Sequence, residues 1–322
     1  MFIPSEREKR RIGSERVCER DDLRRRDFTI NAMAASLKPA EFGRLVDPYD
    51  GRSDLEARVL RVLHNLSFID DPTRIFRGIR YEARFGFRFD EHTVRLARGC
   101  IEMGLVGDLS SSRLRDELVG LLEDPGAPGG IERLGELGVD RAIHPRLQGD
   151  AEAAALFGRA CSWRDELHVE VPVWRLGVAA LARRMTSDEA YDWLDRLAIR
   201  RRDADRIVGA VTVAPRIVER LRAEHLDPAQ LVALADPFAP DAPLLALSLE
   251  EQPALREYFE RLRSVRLEIS GSDLVSMGLP ESPRIGEVLG ELRRRKLNGE
   301  LESRDSELAA ARELVAAAGS AP

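Results

Sequence analysis

A chain of 322 residues is longer than one hydrophobic core usually organises, so two or more domains are expected. With 43% hydrophobic and 33% charged residues it is too polar for a membrane protein, and no apolar run approaches the roughly 20 residues that span a bilayer. The net charge of −6 argues against a uniformly basic nucleic-acid binder, but phosphate contacts need only a local basic face.

The N-terminal stretch MFIPSEREKRRIGSERV is basic and lacks a following apolar run, so it does not read as a secretory signal. Cys18, Cys100 and Cys161 are far apart and without CxxC or Cys/His spacing. A disulfide framework or zinc site is not expected, and a cytoplasmic location is. Lysine occurs only at Lys9, Lys38 and Lys296. A GC-rich genome explains that arginine bias; so does the fit of guanidinium forks to phosphates and base edges.

Residues 1–22 are polar and would not fold alone. FTINAMAASL then reads as a short alanine-rich helix, followed by an extended piece at Gly43–Val46, a turn at Asp47–Gly51 and another helix. In that turn Pro48 supplies a fixed φ and Gly51 a permitted positive φ. Asp71 and Pro72 mark a helix start, as N-cap and first helical residue. Amphipathic helices are predicted at roughly 91–103, 110–123, 129–138, 151–167, 172–184, 187–197 and 201–222. Breaks are predicted at DPGAPGG (124–130), His144–Pro145 and ADPFAPDAP (235–243). Ser270 is a plausible cap, and polar helices at 284–296 and 304–318 close the chain. The chain is mainly α with a small α/β piece at the front.

Three constellations carry chemistry. The first is Arg24–Arg25–Arg26–Asp27–Phe28–Thr29–Ile30–Asn31–Ala32, a solvated basic stretch or an anion site formed by guanidinium groups and a helix N-terminus. The second, Asp47–Pro48–Tyr49–Asp50–Gly51–Arg52–Ser53–Asp54–Leu55 with Arg58 and Arg61, lacks the spacing of a calcium loop and reads as a turn feeding a capped helix.

The third is FIDDPTRIFRGIR, Phe68 to Arg80. At about 100° per residue, Arg74, Arg77, Arg80 and Arg84 share one broad face and Ile75, Phe76, Ile79 and Ala83 the other. With only Glu82 and two aspartates close in sequence, the stripe is expected to need an anionic partner. Asp71 and Arg74, at i and i+3, either pair with each other or point together into a cleft. In the second case the carboxylate accepts from the exocyclic amino group of cytosine or adenine while the guanidinium donates to the ring nitrogen. Uracil and guanine put a carbonyl where the amino group should be, and a buried polar group left unpaired costs about 1–3 kcal/mol. One Asp/Arg pair would thus select C and A.

Three strings together resemble the ordered motifs of the class II tRNA nucleotidyltransferase and poly(A) polymerase family: RRDFTINA (25–32), DPxxGxxDLxxRxxR from Asp47 to Arg61, and DDPTR (70–74) for the family's EDxxR. The resemblance continues in ERLGELGVDRAIHP and in the C-terminal stretch from ISGSDLVSMG onward. HNLSFIDDPTRIF is similar to long A-adding members that carry phosphoesterase-like and CBS modules upstream.

The resemblance implies a head remnant at 1–50, a neck at 51–145, a helical body at 146–269 and a tRNA-holding tail at 270–322. It further implies transfer of CMP and/or AMP from CTP and ATP to a tRNA 3′ end. Arg26, Asp71, Arg74, Arg77 and Arg80 would meet the nucleotide, and Asp47, Gly51 and Asp54 would form a head–neck hinge. Poly(A) polymerase and a noncatalytic RNA-binding helical protein are the alternatives.

The resemblance also implies Mg²⁺, held by a DxD pair after a GGxxRD segment. Neither motif lies in the 23 residues before Arg24. The one literal DxD, Asp203–Ala204–Asp205, falls in a predicted helix and reads as surface charge. No catalytic or metal residue is therefore assigned. The chain reads as a fragment, with a separate chain carrying the missing head as one possible partner, or as a natural remnant.

Overall fold

The computed structural model describes residues 22–319; apart from Asp22, the expectations for residues 1–22 lie outside them. Among the described residues the chain is mainly helical, with four two-residue strands. It divides into two compact units, one of residues up to Ala155 with Ala180–Arg201, the other of Leu156–Ala179 with Arg202 onward. No single described helix is long and apolar enough to cross a membrane.

The first unit opens on Phe28, which bridges Val62, and a 3-10 turn at Thr29–Asn31. The predicted helix over FTINAMAASL stops there. Ala34–Ala35 (β1) pairs antiparallel with Leu45–Val46 (β2) instead. Two side-chain commitments favour this: the Thr29 hydroxyl donates to Asp54 (2.7 Å), and the Asn31 amide donates back to Asp27 (2.7 Å). Both residues are weak helix formers that exchange local backbone bonds for side-chain ones.

Helix α1 (Gly51–Ala57) follows, then β3 (Val59–Leu60), which pairs in parallel with β4 (Arg88–Phe89). Between the strands run α2 (Ser67–Asp70) and α3 (Thr73–Phe85). Helix α3 buries Ile75, Phe76 and Ile79 completely, each contributing about 1.5–3 kcal/mol. It packs on α5 (Ser111–Leu122) and α6 (Ala127–Leu137), after α4 (Glu91–Glu102). Gly86 ends it at φ 70°, a left-handed cap for which glycine has no Cβ penalty.

The predicted break at 124–130 extends only to Gly126. Ala127–Gly130 is already the first turn of α6, with Pro128 where its missing N–H costs nothing. Asp124 caps this approach by accepting from the Gly126 N–H (3.0 Å). Helices α7 (Val139–Ile143), α8 (Ala151–Glu166), α9 (Val173–Leu181) and α10 (Ser187–Arg196) follow, the division between units falling within α8 and α9.

The second unit contains α11 (Arg201–Ala223), α12 (Pro228–Ala235) and α13 (Asp241–Leu249). Helix α13 is buried on nearly all sides, which fits its largely apolar sequence. Asp203, expected as surface charge, instead pairs with the mostly buried Arg175 (3.0 Å), which also meets Asp241. After α14 (Pro253–Glu260) come α15 (Gly271–Ser276), α16 (Arg284–Leu297) and α17 (Arg304–Gly319). These last three enclose a small core of their own, including Leu274, Leu279, Leu292, Leu301 and Ala311. Ser270 forms the capping box of α15 with Asp273.

Candidate nucleotide-selecting site

Asp71 ends α2 with extended backbone, and its carboxylate accepts from both the N–H (3.1 Å) and the hydroxyl (2.7 Å) of Thr73. It thereby does the work of an N-cap for α3. The same Oδ1 accepts from Arg113 Nη2 on α5 (2.7 Å).

Arg74 does not pair with Asp71. Its Nη1 donates to the Ser67 hydroxyl (2.7 Å) and carbonyl (3.3 Å), and its Nη2 to the Arg25 carbonyl (2.8 Å). Of the two arrangements open in the sequence, internal pairing is the one not formed. All three bonds to Asp71 fall on Oδ1, none on Oδ2, and the five guanidinium N–H groups of Arg74 exceed its three bonds. An acceptor and spare donors thus stand one helical turn apart.

The rest of the stripe is compensated from outside the helix. Arg77 Nε donates to Asp27 (2.7 Å), a carboxylate only 6% exposed that also receives the Asn31 amide. Burial alone would lower the Arg77 pKa, but the charge and hydrogen bond of Asp27 outweigh it and hold the group above its ordinary value. Asp124 lies 3.6 Å from Arg80 and 3.8 Å from Arg84, and Arg80 Nε is buried without a hydrogen bond. Glu82 turns away to Arg133 (2.7 Å). The expected shortage of anions near the stripe is therefore a property of the local sequence, and the tertiary structure supplies three carboxylates. The third is Glu117 on α5, whose pKa is pushed up by burial although Arg77 and Arg80 oppose the shift.

Arg26 is not joined to this cluster; its exposed guanidinium pairs with Asp22 (2.9 Å). Asp27, Arg113, Glu117 and Asp124 escaped the sequence reading. Asp27 lies inside the RRDFTINA string, where the arginines before it carry the more obvious chemistry. Arg113 and Glu117 are one turn apart on α5, but nothing in SSRLRDELVGLL separates them from an ordinary solvated face.

The Asp47 to Asp54 segment joins the two chain stretches. Asp47 accepts from the N–H groups of Gly51 (2.7 Å) and Arg52 (2.9 Å), capping α1. The left-handed residue of the turn is Asp50 (φ 58°), not Gly51. Gly51 serves close approach instead: a Cβ there would lie 2.2 Å from the Thr29 carbonyl oxygen. Asp54 receives the Thr29 hydroxyl and both Arg61 Nε (3.2 Å) and Nη2 (3.3 Å), while Arg61 also reaches Asp90 (2.5 Å). The hydrogen bond from Arg61 to Asp54 is the main cause of its raised pKa.

Residues 4–61 match the family described as Poly A polymerase head domain. The chain is 31% identical to an A-adding tRNA nucleotidyltransferase of Halalkalibacterium halodurans, covering 91% of this chain and 68% of that one. It belongs to the tRNA nucleotidyltransferase family. A second A-adding relative, from Geobacter sulfurreducens, is also 31% identical over 91% of this chain, which spans 35% of that relative's length. Two solved structures share the fold. A CCA-adding enzyme in complex with CTP has TM-score 0.83 at 30% identity, covering 95% of this chain and 74% of that one. The Thermotoga maritima CCA-adding enzyme complexed with tRNA has TM-score 0.81 at 31% identity, covering 93% and 74%.

Membership in the tRNA nucleotidyltransferase family directs attention to Mg²⁺. Among the described residues no group of three or more His, Cys, Asp or Glu side chains is placed to hold a metal ion. Those residues do not fit an Mg²⁺ site; what they offer is an acceptor–donor pair backed by arginines.

Proposed function

We propose that this chain selects the incoming nucleotide and holds the RNA in a tRNA nucleotidyltransferase reaction, the addition of CMP and/or AMP from CTP and ATP to a tRNA 3′ end. The observation that carries the reading is the division of labour at Asp71. One carboxylate oxygen is saturated by Thr73 and Arg113, and the other is left to accept from a base amino group, with spare Arg74 N–H groups one turn away. Arg77 and Arg80 stand farther along the same helix, where the nucleotide's phosphates and sugar would extend, and Arg26 would approach from the RRDFTINA segment. Asp47, Gly51 and Asp54 would form the hinge between head and neck. The relatives support the substrate class, since those of similar fold include complexes with CTP and with tRNA.

In this reading the four stretches 1–50, 51–145, 146–269 and 270–322 act as part of the head, neck, body and tail. Mg²⁺ would be held by carboxylates of a nucleotidyltransferase head, on this polypeptide or on another chain. The test is incorporation of labelled CTP, ATP, UTP and GTP into a tRNA lacking its CCA end, using the chain joined to a family head that carries GGxxRD and DxD. Arg74→Ala is expected to relax the preference for C and A more than it weakens tRNA binding. Unchanged preference would show that Asp71 and Arg74 are not the template. The 322-residue chain by itself is expected not to incorporate nucleotide.

A further inference from the structure

At the far end of α3 from Asp71, four rings form a line from the core to the surface. Phe28 and Tyr81 are 6.1 Å apart, Tyr81 and Phe85 6.1 Å, and Phe85 and Phe87 6.5 Å. Phe28 is fully buried, whereas Phe85 is 48% exposed. The Arg84 guanidinium lies 5.0 Å from the Phe85 ring centre. Arg58, held in a left-handed turn, brings its guanidinium over Gly86, and its carbonyl accepts from the Arg88 N–H (2.9 Å). Arg58 and Arg88 are both exposed.

Of these arginines Arg84 faces Asp124 (3.8 Å), while among the described residues the carboxylates closest in sequence to Arg58 and Arg88 are engaged elsewhere: Glu82 with Arg133 and the Phe89 N–H, Asp90 with Arg61, Glu56 with Arg52. An exposed aromatic ring flanked by two exposed arginines, Arg58 and Arg88, with no carboxylate partner among the described residues is the chemistry that takes single-stranded nucleic acid. Bases stack on the ring while guanidinium groups neutralise the phosphates. A hydrogen-bonded chain links the patch to the arginine stripe, since Tyr81 OH accepts from Asn31, Asn31 donates to Asp27, and Asp27 holds Arg77. At about 1.5 Å per residue, Phe85 lies about 16 Å along α3 from Arg74.

We infer that Phe85, Arg58, Arg84 and Arg88 form a docking platform for the single-stranded 3′ segment of the RNA primer. This rests on the reading that the chain handles tRNA. The platform binds through stacking and charge and reads no base. Its place beyond the selecting end of α3 keeps the primer strand in register while the terminal base changes.

The test is fluorescence anisotropy of the full 322-residue chain with 5′-fluorescein tRNA carrying an unpaired 3′ end, and with a blunt-ended acceptor duplex. Phe85→Leu, which keeps apolar bulk but removes the π face, and the surface variants Arg58→Asn and Arg88→Ala should each weaken binding of the unpaired end about tenfold. Binding of the blunt duplex should stay within about twofold. Each arginine variant should also reduce the dependence of log K on log salt by about one. Wild-type affinity in all three variants would overturn the platform and leave the tRNA reading intact; an equal loss on both RNAs would likewise overturn it. Failure of the wild-type chain to bind any tRNA would defeat both. Should Phe85→Leu unfold by circular dichroism, the two arginine variants decide the matter alone.

Discussion

Asp71 and Arg74 are three residues apart, yet each is fixed by a different part of the chain: Asp71 by Arg113 from α5, Arg74 by Ser67 and the Arg25 carbonyl. Under the proposed reading, side chains held in this way would lose little further rotamer freedom when a base arrives, so recognition would start from a prepared geometry. Glu117 shows the cost of that preparation. Burial pushes its pKa up, and Arg77 and Arg80 offset this only in part. A carboxyl whose folded-state value lies above its unfolded one binds more protons in the fold. It therefore detracts from stability progressively as pH rises from the unfolded value through the folded one. Glu117→Gln should raise the thermal midpoint at pH 7 and change it much less at pH 4, where the native group is already largely protonated. A lower midpoint at pH 7 would mean that Glu117 serves the arginines as a needed counter-charge.

The segment after RRDFT departs most from its sequence pattern. Alanine-rich NAMAAS favours helix by intrinsic propensity, but Ala34 and Ala35 pair with Val46 and Leu45. Thr29 is tied to Asp54, twenty-five residues on. Propensity differences of a few tenths of a kcal/mol per residue yield readily to such contacts. The same packing explains Gly51. Its value lies in letting the start of α1 touch the Thr29 carbonyl, and a Cβ has no room there. Gly51→Ala should cost about 1–3 kcal/mol, as overpacking usually does, and lower the denaturant midpoint; an unchanged midpoint would show that the contact yields freely. Helix α3 is the contrasting case. Its arginine and apolar faces were legible from the 3.6-residue period, because a long amphipathic helix carries its own orientation in sequence.

At the scale of the molecule, the tail expected to hold tRNA carries the basic run RRRK, Arg293 to Lys296. In the fold these cations are committed: Arg293 to Asp236, Arg294 and Arg295 to Glu291, and Lys296 to Glu268 and Glu307. Glu307 is completely buried and also accepts from the N–H groups of Glu268 and Ile269 (2.8 and 3.1 Å). Removing its cation should leave a buried charge uncompensated, at a cost of about 3–5 kcal/mol. Lys296→Met is accordingly expected to lower stability by about that amount, and adding Glu307→Gln should recover part of it, both read from denaturant unfolding. A loss below about 1 kcal/mol would place the pair among ordinary surface ion pairs.

The sequence by itself determined the mainly helical class, most helix boundaries after residue 90, the family through RRDFTINA and its companion motifs, and the arginine face of α3. All of these are local patterns, written in spacing and in runs of adjacent residues. Only the tertiary structure decided that Asp27, Glu117 and Asp124 answer the arginine stripe, that Arg113 rather than Arg74 holds Asp71, and that the cations of the RRRK run are already paired. Ion pairs and hydrogen bonds between distant segments depend on which helix faces meet, and no spacing along one helix records its partner.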